Sequence, residues 1–214
     1  MKQALLKSSL REIRKAPTRF LSIVGIIFLG VAFFVGIAAT GPDMIDAGEH
    51  YYAKQKLADV AIVSSLGLTE DDLALVADNQ QVSAAQAQTM VDLQLAKLDK
   101  VVRFMSYDPT DELNRYHLVA GRLPEKTGEI ALDQVAELHG DYKIGDTFTI
   151  EQADDLSNQL KSHEAKVVGF VNSPEFIENM SRGKTSVGSG TVDYFAVVPK
   201  ADLVATSFTR ILVS

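Results

Sequence analysis

The chain has 214 residues, 21 of them basic and 28 acidic, and neither cysteine nor tryptophan. Without cysteine it can form no disulfide, thiolate zinc site or cysteine nucleophile, so any exported part must hold together through its hydrophobic core. Six basic residues and one acid fall in the first forty positions, leaving fifteen basic and twenty-seven acidic in residues 41–214, which offer no basic face to a nucleic acid.

Residues 1–19 carry Lys2, Lys7, Arg11, Arg14, Lys15 and Arg19 against Glu12 alone, and Leu6, Leu10 and Ile13 recur at i, i+4, i+7. That pattern predicts a basic amphipathic helix on the inner leaflet, where each Lys or Arg gains about 1 kcal/mol from anionic lipid. Phe20–Ala39, FLSIVGIIFLGVAFFVGIAA, is twenty residues without a charge. As a helix it is about 30 Å long, the thickness of a bilayer's hydrocarbon core. A transmembrane helix is therefore expected over 20–40. The basic residues before it and the acids Asp43, Asp46 and Glu49 after it place the N-terminus in the cytoplasm and residues 41–214 outside the cell membrane. A cleaved signal peptide shares the basic start and the small residues Ala38 and Ala39, but its apolar run spans about 7–15 residues. The length favours a retained anchor, crossing once.

Gly41-Pro42 suggests that a second helix, a stalk over 41–56, restarts with proline in its first turn. Leu57–Val63 reads as a short buried strand. Thr69, followed by Asp72 three residues on and by the acids Glu70 and Asp71, reads as a helix N-cap, with Leu73, Leu75 and Val76 as its core face. Gln86–Leu95 alternates apolar and polar with Met90 as the one exception, and predicts a strand, with Val101–Tyr107 as its neighbour. Shorter strands are expected at Ile130–Leu132, Thr147–Ile150, Lys166–Val171, Tyr194–Val198 and Arg210–Val213. Helical turns fit 133–139, capped by Asp133, and 174–180, begun by Pro174. The order predicts a mixed α+β domain, with a flexible exposed loop at Ser181–Thr191.

The motifs argue against chemistry. Gly183-Lys184-Thr185 resembles the end of a phosphate loop, but position 178, where the motif needs glycine, is Glu178. His50, His117, His139 and His163 show no ligand spacing. Glu70-Asp71-Asp72, Asp111-Glu112 and Asp154-Asp155 fit no calcium loop. Gly188-Ser189-Gly190 lacks the spacing of a nucleophile elbow. No catalytic, cofactor-binding or metal-binding residue is assigned, no cofactor is called for, and the chain is not read as an enzyme.

The opening LREIRKAPTRFLSIVGIIFLGVAFFVGIAATGPDM resembles the first segment of the large FtsX-like ABC transporter permeases of Gram-positive bacteria. YYAKQKLADVAIVSSLGLTEDDLALV continues the likeness. AGRLPEKTGEIALDQ, YKIGDTFTI and VVGFVNSPEFIE resemble pieces of MacB-like extracytoplasmic core domains. The resemblance implies such a core over 57–214, a cytoplasmic ABC ATPase subunit as partner, and further permease transmembrane helices in the same bilayer. It implies a permease subunit coupling ATP hydrolysis to work outside the cell on a lipid, lipoprotein or peptide. Such permeases have at least four membrane helices per unit, so the expectation is a fragment or a truncated reading frame. The alternative reading is a free-standing, single-pass anchored binding or sensor module. A tethered cell-wall hydrolase is a third, which no legible residue set supports.

Overall fold

The computed structural model describes residues 11, 13–95, 100–150, 159–177 and 182–214. The amphipathic pattern around Leu6 and Leu10 and the pair Asp154-Asp155 lie outside them. The chain divides into two compact units, residues 1–50 and 51–214.

The first unit is built on helix α1 (Pro17–Gln55), 39 residues that run without interruption through Gly41-Pro42. Leu21, Phe28, Phe33 and Phe34 are all more than 70% exposed, so this part of the helix is apolar on every side and suits an apolar surrounding. Its few hydroxyls bond inward: Ser22 Oγ donates to the Thr18 carbonyl and Thr40 Oγ1 to that of Gly36, each at 2.9 Å. Among the described residues it is the one helix long and apolar enough to cross a membrane.

The second unit is α+β with two sheets. Its elements in order are β1 (Val60–Leu68), α2 (Glu70–Ala77), β2 (Ala85–Gln88), β3 (Met90–Leu95), β4 (Lys100–Tyr107), β5 (His117–Gly121), β6 (Glu129–Asp133), α3 (Gln134–Leu138), β7 (Thr147–Thr149), β8 (Glu164–Asn172), β9 (Tyr194–Pro199) and β10 (Phe208–Val213). Three strands form one antiparallel sheet in the order β1-β10-β2. The other sheet runs β3-β4-β9-β6-β8-β5, with β7 also on β8; β4 lies parallel to β9 and β6 to β8.

The long strand expected over Gln86–Leu95 is divided. Thr89 separates β2 from β3, which belong to different sheets. Two side chains satisfy the backbone at the crossing: Thr89 N–H donates to Ser106 Oγ at 2.9 Å and Met90 N–H to Thr209 Oγ1 at 2.8 Å. Met90, the residue that breaks the alternation, is where the face changes.

β9 carries the core. Tyr194, Ala196 and Val198 point to one face, with Phe104, Phe148 and Phe170; Phe195 and Val197 point to the other, with Met105 and Val171. A strand buried on both faces reads as a continuous apolar run, as YFAVV does. Helix α3 starts at its expected cap, Asp133, whose carboxylate accepts the Val135 N–H at 3.1 Å. The same carboxylate pairs with Arg182, both groups buried.

Besides the divided strand and the helix that continues through Gly41-Pro42 without restarting, further expectations need correction. β1 is a sheet edge and its apolar residues are not buried: Val60 is 57% and Val63 69% exposed. Helix α2 has the expected Thr69–Asp72 capping box but buries no residue, and Leu75 is exposed. Residues 173–176 form a turn in place of a helix start, because the Ser173 carbonyl accepts the Phe176 N–H at 3.1 Å and its hydroxyl the Glu175 N–H at 3.3 Å. The last residues of that expected helix, 178–180, lie outside the described ones.

Candidate functional site

The last turn of α1, Tyr51–Gln55, belongs to the second unit, and its end is unusually well held. Lys56 adopts a positive φ of 48°, its N–H donating to the Ala53 carbonyl and that of Leu57 to Tyr52. This is the Schellman arrangement, with lysine where glycine is usual. Past this closure the carbonyls of Gln55 and Lys56 would be left without partners. The loop before β5 supplies them: Arg115 N–H donates to Gln55 and Asn114 N–H to Lys56, each at 2.8 Å.

Asn114 is the second non-glycine residue at φ 48°. Asparagine tolerates that conformation because its short amide bonds locally. Here its Oδ1 accepts the Ala58 N–H at 2.7 Å and its Nδ2 donates to Glu175 Oε1 at 2.7 Å. One side chain thus ties the chain leaving the helix to the domain interior.

From Glu175 the network continues inward. Its carboxylate is paired with the Arg210 guanidinium, at 2.7 Å through Nη1. Arg210 also donates to Gln88 Oε1 across the β10–β2 pair, at 2.8 Å through Nε and again through Nη2. Gln88 Nε2 reaches the Tyr116 hydroxyl at 3.3 Å. Arg210 and Gln88 are buried. A buried charge in such a network costs several kcal/mol when its partner is lost, so the members constrain one another. Burial pushes the Tyr116 phenol well above its ordinary pKa, with the Glu175 charge adding to the effect.

None of the described residues weighed in the sequence gathers into a reaction centre. Lys184 bridges to Thr191 in a hairpin, not a free loop, and Arg103 holds its first arm through the Arg182 and Lys184 carbonyls. The Thr185, Val187 and Gly190 N–H groups donate within the hairpin, so they do not form a phosphate cradle. Of the histidines, His117 stands edge-on to Tyr51 with centroids 6.4 Å apart, and His139 closes α3. Among the described residues no three His, Cys, Asp or Glu are placed to hold a metal ion. Glu70, Asp71 and Asp72 open α2, and Ser189 sits in the hairpin. Asp111 is half-buried and accepts the Asp108 N–H.

The anchor itself, Lys56, Asn114, Glu175 and Arg210, was not singled out by sequence. Two signals were present: an asparagine in a polar stretch, the residue type of left-handed turns, and an arginine inside the apolar run FTRILV.

No protein-family model matches the chain, and no curated protein matches its sequence. Among solved structures it is similar to the extracellular domain of the noncanonic ABC-type transporter YknZ from Gram-positive bacteria. The two share 12% identity over 71% of this chain and 74% of the other, with a TM-score of 0.40.

Proposed function

We propose that the chain is the membrane-anchored first part of an ABC transporter permease subunit, in which α1 carries motion from the membrane to the domain outside it. The sequence resemblance of residues 10–44, 51–76 and 120–134 supports the family. The observation that carries the mechanism is that one unbroken helix, Pro17–Gln55, ends in a hydrogen-bonded clamp around Lys56 and Asn114. A helix transmits displacement along its axis only as far as its end is held. Here the held end connects through Glu175 to Arg210 on the central strand of the smaller sheet. ATP hydrolysis belongs to a cytoplasmic ATPase partner, and the remaining permease helices complete the path through the bilayer. The work outside falls on a lipid, lipoprotein or peptide.

Ala47→Pro tests this. Position 47 lies inside α1, beyond Pro42, where a further proline removes a helix bond and costs about 3 kcal/mol. In the full permease with its ATPase, the variant should insert normally and hydrolyse ATP, yet lose transport. Full transport by Ala47→Pro would eliminate the helix as the transmitting element.

A further inference from the structure

Beside the clamp lies a cavity of about 190 Å³ whose lining includes Tyr107, Asp111, Leu113, Asn114, Tyr116 and Leu123. A cavity of about 150 Å³ takes up one benzene-sized molecule, so this one suits a single side-chain head and not a folded ligand. Its lining is half polar and half aromatic or apolar: the Tyr107 and Tyr116 rings meet edge-on, centroids 6.1 Å apart, Tyr116 is backed by Phe195, and Leu113 is buried. Asp111 brings a carboxylate into this lining, and its pKa is raised, chiefly by burial.

Acids outweigh cations among the charges felt at the two tyrosines, while Lys200 opposes them at Asp111. After burial, the charges of Asp111, Asp108 and Glu125 raise the Tyr107 phenol. Asp111 and Glu175 do the same at Tyr116. The one cation opposing them at Tyr116, Arg210, is already committed to Glu175 and Gln88. Arg115 also lines the cavity, and is exposed. Such a field disfavours an anion. A hard metal ion wants six or more oxygens, several of them carboxylate, and the lining holds one carboxylate. An organic cation fits both halves, because tyrosine faces attract cations and a desolvated carboxylate pairs with them.

We propose that this cavity binds one cationic group, the ammonium or guanidinium of a basic peptide side chain, with Asp111 as its counter-ion and Tyr107 and Tyr116 as its walls. Asn114, Tyr116 and Gln88, which also lines the cavity, belong to the network that clamps the helix end, so an occupant bears directly on the clamp. That link rests on the transmission reading above; the binding itself does not.

The test uses the full chain in lipid nanodiscs, titrated by NMR with the Nα-acetyl methylamides of lysine and arginine and of their neutral counterparts norleucine and citrulline. The cationic probes should saturate and the neutral ones bind at least about tenfold more weakly. Asp111→Asn should weaken the cationic probes by about tenfold; asparagine Oδ1 can still accept the Asp108 N–H, so the loop is preserved. Equal binding of neutral and cationic probes, unchanged affinity in Asp111→Asn, or absence of saturation by either cation overturns the site. Hydrogen exchange of the Ala58 and Asn114 amides should slow when the lysine probe is bound. Saturation with unchanged exchange overturns the link to the clamp and leaves the binding standing, whatever the outcome for Ala47→Pro.

Discussion

Gly121 and Gly169 face each other across the β5–β8 pair, and neither has room for a side chain. A Cβ on Gly169 would stand 2.3 Å from the Arg122 carbonyl oxygen, and one on Gly121, at φ 75°, 2.2 Å from that of Val168. Both obstacles are backbone. Gly169→Ala should therefore destabilise the domain by about 1–3 kcal/mol or more, lowering its melting temperature, while Gly48→Ala, inside α1 with nothing within 4 Å, should not destabilise the chain. A Gly169→Ala domain melting with the parent would refute this packing. The next residues, Arg122 and Glu129, close the loop between β5 and β6 on each other: two guanidinium nitrogens reach the Glu129 carboxylate, which also accepts the Glu125 and Lys126 N–H groups. The Arg122 bond chiefly, then the Glu125 amide, hold the Glu129 pKa at about 2. A carboxyl depressed on folding contributes stability fully above its unfolded pKa of about 4.3 and loses it as pH falls through the folded value. Stability of the parent should thus fall between about pH 4.3 and pH 2 more steeply than that of Glu129→Gln. Parallel acid-denaturation curves would show that the pair contributes nothing. Gly121 ends β5 and Gly128 directly precedes β6, places where a glycine suits the change of direction. That arginine and glutamate seven positions apart would clamp the loop could not be read from the sequence, because it depends on how the loop folds back.

At the level of strands, most positions were legible because most strands here are apolar runs between turns: β4, β6, β8, β9 and β10 fall within one or two residues of their predicted places. β5 escaped notice because His117, Leu118 and Val119 at an exposed edge show neither alternation nor burial. β1 misled in the opposite direction, since an apolar run reads the same whether a sheet covers it or leaves it at a rim. The division of residues 85–95 was encoded only as one irregularity, Met90. Its cause lies elsewhere in the chain, in hydroxyls that take up the backbone bonds at the crossing. Thr209 Oγ1 both accepts the Met90 N–H and donates to the Gln88 carbonyl. Thr209→Val keeps the shape and strips both bonds, so it should cost about 1–3 kcal/mol in a urea titration. A midpoint matching the parent's would mean that water serves the crossing equally well.

For the whole molecule, the proposed orientation rests on the charge asymmetry around residues 20–39. Protease added to intact spheroplasts should remove residues beyond 55 and spare the N-terminal segment. A protected C-terminal domain, or a mature chain beginning near Thr40, would contradict it. The two sheets also differ in when they can form. All strands of the larger one lie within residues 90–199, a continuous stretch, whereas the smaller one draws on 60–68, 85–88 and 208–213. Its central strand is β10, made after β1–β9. β1 and β2 therefore have no partner in that sheet until synthesis has passed residue 213. At about 5–20 residues per second, β1 waits on the order of ten seconds after it appears. Throughout that interval Val60-Ala61-Ile62-Val63 is an apolar segment with unpaired backbone, the condition in which strands find wrong partners. The larger sheet also waits on a late strand, β9, but its β3–β4 and β6–β8 pairs can form before that strand appears.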